Sequence, residues 1–160
     1  MNELASIVAT LAAMAAADAM AALRPTNRSV VEAFYAELLN DASSPHVGAR
    51  AERILAADWQ SIGDNSGRNK TRAAFVAQVQ GFGKLVPDLN WSVQEILQQG
   101  NRYIVRSRVT GTPSGAFLGA PASGKRFDIM TIDIHTVEDG TIVCSYHVED
   151  WAGAIRQLAG

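Results

Sequence analysis

Residues 133–151, DIHTVEDGTIVCSYHVEDW, hold two histidines, five acids and a tyrosine around one Asp-Gly pair. Carboxylates and imidazoles move protons near neutral pH, so this stretch is where acid/base chemistry would sit. An Asp-Gly between two alternating runs predicts a tight hairpin. With Asp139 and Gly140 as the turn, His135 opposes Cys144, Asp133 opposes Tyr146 and Ile129 opposes Asp150. Opposed side chains share a face. One face is therefore expected to carry Asp133, His135, Cys144, Tyr146 and Asp150. The other carries Met130, Ile132, Ile134, Val143, Ser145 and His147 and is largely apolar. A bulge would shift this register and move Asp150 or His147 to the other side.

Both faces of the hairpin hold apolar residues, so both are expected to be covered. A carboxylate and an imidazole in a partly dry space have shifted pKa values, which suits a proton-transferring site. Asp150 reads either as a base or as the N-cap of the run WAGAIRQLA that follows it. His135 reads as its neighbour in the site or as a satisfied sheet histidine. Asp133 reads as an orienting partner or a structural acid. Trp59, Phe82 and Trp91 are core candidates, of which one or more lines a pocket mouth. His46, His135 and His147 lack metal-ligand spacing with a carboxylate, so no metal site is expected. No nucleophile elbow is present, which argues against an acyl-enzyme.

The elements that must position these residues follow from periodicity. Ser29 and Glu32 form a capping-box pattern, and Val30, Val31, Phe34 and Leu38 give the stripe of a helix. Residues 49–56 read as a short helix, 64–69 as a loop and 70–85 as a third helix, with Gly81 and Gly83 weakening its end. From Trp91 the period becomes two. WSVQEIL and RYIVRSRVT form one hairpin, residues 111–125 a Gly- and Pro-rich loop, and residues 126–150 the second hairpin. Helices first and antiparallel strands after argue for an α+β fold with the helices on one face of a curved sheet.

The chain has 160 residues, 48% hydrophobic and 19% charged, which fits one domain. A net charge of -2 leaves no basic excess for nucleic acid. Cys144 is the only cysteine, so neither an internal disulfide nor a thiolate metal cage can form. The Ala-rich residues 1–25 read as an amphipathic helical arm on a domain spanning 26–160, with a secretion signal as the alternative. Glu3 stands where a signal would carry a positive charge, and Asp18 interrupts the apolar run. The run is too broken for a membrane span. A cytoplasmic location is expected, or a secreted one if the arm is a signal.

Residues 111–158 resemble the C-terminal half of the SnoaL-like polyketide cyclases, also called ester cyclases. GTP, GAFLG, PASGK, DGTI, Tyr146, Asp150 and RQLAG stand in the family's order, and VPDLNW at 86–91 resembles its Phe-Pro-Asp segment. The resemblance extends over Ser29–Gly160. It implies a cone-shaped α+β fold like nuclear transport factor 2, enclosing an apolar pocket. It implies cofactor-free intramolecular aldol or related enolate chemistry on a small apolar carbonyl compound, with Asp150 as acid/base and His135 assisting. It also places Arg106 as an anchor for a substrate oxygen, against the plain reading of a solvated charge. Pro113 replaces the usual histidine and Tyr146 the usual tryptophan. The alternatives are a non-catalytic binder of small ligands and an isomerase or epoxide-hydrolase-like hydratase. The apolar row Met130, Ile132, Ile134 and Val143 predicts a homodimer through the outer sheet face.

Overall fold

The computed structural model describes Thr10, Met14 and residues 27–160. The expected arm over residues 1–25 lies outside the described residues, those two apart. Helix α1, Asn27–Ala33, runs into a π-helical stretch, Phe34–Leu39, closed by the Asn40 N–H on the Tyr35 carbonyl at 2.9 Å. Then come α2 (Val47–Ile54), β1 (Leu55–Ile62), β2 (Lys70–Thr71), α3 (Arg72–Leu85), β3 (Asn90–Gln99), β4 (Arg102–Gly111), β5 (Phe127–Glu138), β6 (Thr141–Glu149) and α4 (Trp151–Ala159). The class is α+β, as expected.

Local chemistry sets most boundaries. Ser29 lies within α1 rather than ahead of it, and Glu32 accepts from Arg28 at 3.0 Å. Thr71 caps α3 by accepting from the Ala74 N–H. Gly83 in α3 is required: a Cβ there would stand 2.6 Å from the Ala42 carbonyl carbon. The close packing of α3 on that turn outweighs the helix cost of glycine.

The sheet order is β2-β1-β6-β5-β4-β3. It is mixed rather than purely antiparallel, because β1 runs parallel to β6. Residues 55–62 were not expected to be a strand, and the tail of the expected 49–56 helix is its start. LAADWQSI contains weak strand formers, and β1 exists through its pairing with β6 and β2.

Asp139 and Gly140 take φ of 47° and 75°, and the turn pairs Glu138 with Thr141 and Val137 with Ile142 as predicted. Beyond that the register changes. Thr136 faces Cys144, so Val143 is an extra residue on β6, and His135 then faces Ser145 and Asp133 faces His147. This bulge overturns the expected faces. Ser145, His147 and Glu149 join Asp133 and His135 inside, while Cys144 and Tyr146 turn outward. The core fills the space between the concave face and the helices, from Val31, Leu38 and Ile54 to Trp59, Val105, Phe127 and Ile142.

Candidate active site

Two buried titratable groups stand side by side on β5. Asp133 is 4% exposed and His135 fully buried. Tyr35 reaches both from the π-helical stretch. Its hydroxyl is 2.7 Å from Asp133 Oδ2 and 2.9 Å from His135 Nε2. One extra residue per turn in such a stretch re-aims a side chain, which is why π segments often mark functional positions. On the other side of the ring, His135 Nδ1 lies 2.7 Å from Ser145 Oγ, and Trp59 Nε1 donates to the same oxygen at 3.0 Å.

The donor inventory orients this chain of bonds. An indole N–H only donates, so Ser145 accepts from Trp59 and its own proton is free to donate to His135 Nδ1. The imidazole then carries its proton on Nε2 and donates to the Tyr35 oxygen, and the Tyr35 hydroxyl donates to Asp133. Every proton has an acceptor in this direction. In the opposite direction Ser145 receives two donors and its own proton has none of the recorded partners.

Burial drives the electrostatics. Removal from water raises the Asp133 pKa to about 7, the Tyr35 hydrogen bond opposes this, and the Glu149 charge adds to it. Burial holds His135 neutral, with its pKa lowered to about 3 and His147 adding to the effect. Tyr35 is raised by burial and by Asp133, so it stays a donor. His147, on the same face, is lowered by burial and by Lys70, with Glu149 opposing, and its ring lies 3.3 Å from Ser61 Oγ.

Asp133, His147 and Glu149 border a narrow cavity of about 40 Å³ between β6 and α3. Phe75, Phe82 and Trp91 give it aromatic walls, and Lys70 donates to Gln78 at 2.8 Å at its rim. A wider cleft of about 450 Å³ opens between α1 and β3, bordered by Arg28, Glu32, Tyr35, Asn40, Trp91 and Glu95. It touches Tyr35 and Trp91 but not Asp133 or His135.

The candidates from the sequence separate accordingly. Asp133 and His135 come together, with Trp59 behind them and Phe82 and Trp91 at the cavity. Asp150 does not join them. It caps α4 by accepting from the Gly153 N–H at 2.8 Å, and its side chain is 54% exposed. Tyr146 is 44% exposed on the outer face, and the Arg102 guanidinium lies 5.9 Å from its ring centroid. Arg106, opposite Ile132, is also on the outer face, 3.5 Å from Glu95. The Val143 bulge removes Tyr146 from the expected site, and the register of β4 removes Arg106. Tyr35, Ser145 and Glu149 were missed. A tyrosine beside Phe34 in an apolar helix was the one visible hint of Tyr35. Among the described residues no three His, Cys, Asp or Glu side chains are grouped to hold a metal ion. No helix among them is long and apolar enough to cross a membrane.

Residues 29–158 match the family described as SnoaL-like polyketide cyclase. TsrD from Streptomyces laurentii is 25% identical, with a TM-score of 0.69 over 82% of this chain and 92% of its own. IdmH from Streptomyces antibioticus, provisionally a polyketide cyclase, is 24% identical, with a TM-score of 0.71 over 84% of this chain and 99% of its own. A SnoaL-like polyketide cyclase from Agrobacterium tumefaciens is 20% identical, with a TM-score of 0.65 over 83% of this chain and 98% of its own. No curated protein matches the chain. These likenesses agree with the fold, and the three structures share its curved α+β architecture.

Proposed function

We propose, for a chain that belongs to the SnoaL-like polyketide cyclase family, that it is a cofactor-free enzyme acting on a small apolar carbonyl compound, with Asp133 as its acid/base. The supporting observation is the placement of Asp133: a buried carboxyl on the cavity wall, hydrogen-bonded by Tyr35. A carboxylate there can take an α-proton. The C–H bond breaks, the electron pair moves onto the carbonyl oxygen, and the proton stays on Asp133 for later return. The enolate carbon can then attack a second carbonyl of the same molecule, which is ring closure by aldol addition. A base whose pKa lies near 7 is matched to this work at neutral pH.

His135 is a positioning residue in this scheme. Neutral and locked by Ser145, it fixes the Tyr35 hydroxyl toward Asp133. The cavity admits a carbonyl-sized group, so a larger substrate requires its walls to part. AclR from Streptomyces galilaeus, provisionally a hydroxylase, shares the fold at 19% identity and a TM-score of 0.68, so architecture alone does not select the reaction.

The same proposal includes a homodimer. Met130, Ile132, Tyr146 and Val148 stand 42–72% exposed on the outer sheet face, an apolar surface suited to a second copy. The arm of residues 1–25 is an appendage in this reading.

The test uses cyclopentanone as a carbonyl probe, with hydrogen–deuterium exchange at its α-carbon followed by NMR. Asp133→Asn should lower catalysed exchange by roughly 10²–10⁴-fold. Asp150→Asn should leave it unchanged, because asparagine caps as well as aspartate. Equal exchange in wild type and Asp133→Asn would reject the acid/base reading.

A further inference from the structure

Among the residues bordering the Asp133 cavity one is a lysine, Lys70, on the short edge strand β2. It is partly buried, so its ammonium keeps access to the cavity mouth. The ammonium has three N–H donors, and one goes to Gln78 Oε1, itself a wall residue, at 2.8 Å. None of the ion pairs among the described residues includes it.

The strand register brings this charge to the site. Lys70 pairs with Ser61 on β1, and Ser61 pairs with Ser145 on β6, so the three form one row of the sheet. Ser61 Oγ is 3.3 Å from the His147 ring, and His147 is opposite Asp133. Lys70, Ser61, His147 and Asp133 thus make a polar line from the sheet edge to the buried carboxyl. Burial lowers the His147 pKa, Glu149 raises it and Lys70 lowers it, so both charges are felt at that ring.

The two charges differ in what they have left to bind. The Glu149 carboxylate accepts from Trp151 Nε1 at 2.8 Å and lies beyond His147 along β6. Lys70 is level with Ser145, on the near side of His147. An ammonium ligand at this mouth meets a like charge. An anionic group meets the remaining ammonium donors, with Glu149 beyond the His147 ring. Backbones of β2 and β5 stand three strand spacings apart, about 14 Å. The long Lys70 side chain and the shorter Asp133 one leave a gap that a carboxylate and a ketone a few carbons apart can bridge.

We propose that Lys70 anchors a carboxylate at the cavity mouth, so that the ligand is a carbonyl acid rather than a neutral ketone or an ester. The anchor stands on the cavity's own geometry. The placement of the ligand's ketone at Asp133 rests on the acid/base reading above.

The test compares levulinate, whose ketone and carboxylate are two methylenes apart, with its uncharged methyl ester. Both are titrated at pH 7 and followed by the backbone amide signals of Lys70, Gln78 and His147. Levulinate should bind about tenfold more tightly than the ester, the worth of one charge-assisted hydrogen bond. Added salt should narrow the difference. Lys70→Gln should abolish it, and Lys70→Arg, which keeps the charge, should retain most of it. Equal binding of acid and ester, a preference that survives Lys70→Gln, no binding of levulinate, or shifts confined to signals away from this cavity would each overturn the anchor. The α-proton exchange of levulinate separates the two readings. Exchange lost in Asp133→Asn with acid and ester bound equally sinks the anchor alone. A Lys70-dependent preference with exchange retained in Asp133→Asn sinks the acid/base reading alone.

Discussion

Replacing Asp133 with asparagine should change how stability depends on pH in a direction that the structure fixes. The folded carboxyl has a pKa near 7, against 3.8 for an ordinary aspartate. Between those values the unfolded chain gives up this proton and the folded chain keeps it. Stability is therefore fully present below about pH 4 and is lost as pH rises through about 7. Three pH units at 1.36 kcal/mol each make about 4 kcal/mol, and Asp133 is buried enough that solvent screens little of it. Asparagine keeps the shape and still accepts from Tyr35, yet cannot ionise. The stability of Asp133→Asn minus that of wild type should thus grow by about 1.4 kcal/mol per pH unit from about pH 4 to 7. His135 runs oppositely. Its folded pKa is lowered from 6.5 to about 3, so its contribution is present above about 6.5 and is lost as pH falls. The two slopes nearly cancel in wild type between about pH 4 and 6.5, and the variant uncovers the histidine slope alone. Urea unfolding followed by tryptophan fluorescence across this range measures the difference. A difference that stays constant with pH would refute the burial argument for Asp133.

The orientation of the hydrogen-bond chain predicts a neutral His135 with its proton on Nε2, read from imidazole nitrogen shifts. Ser145→Ala should release that preference and, by freeing Tyr35 to donate to His135, raise the Asp133 pKa. Lysine at both Ile132 and Val148 should convert the proposed dimer to a folded monomer in sedimentation experiments, since two charges on that face oppose self-association. Deleting residues 1–25 should leave a cooperatively unfolding domain by calorimetry, because the apolar core of the described residues begins at Val30. A molten product would instead show that the arm completes the core.

The hairpin turn, the third helix and the α+β order were legible because each depends on local signals: Asp139-Gly140, the helix-forming run over residues 70–85 and a change of period at Trp91. The site was legible only in part. Ile142 and Val143 are both apolar, so alternation cannot say which of them is the bulged residue, and the faces of Tyr146 and His147 depend on that choice. Tyr35 meets Asp133 across 98 residues of chain, a pairing no local pattern encodes. Strand β1 was hidden because its composition does not favour a strand and its partner β6 lies in the last quarter of the chain. Asp150 carried two readings, base and cap, and the geometry shows the cap.

The central claim is that Asp133, held by Tyr35, is the proton-transferring group. Its most direct test is the pH profile of cyclopentanone α-proton exchange in wild type and in Tyr35→Phe. In wild type the rate should rise with pH, pass its midpoint near 7 and level off as Asp133 becomes a carboxylate. Tyr35→Phe removes a hydrogen bond that favours the carboxylate, so its midpoint should move to higher pH. A midpoint near that of an exposed aspartate, or one that Tyr35→Phe leaves in place, would contradict the account.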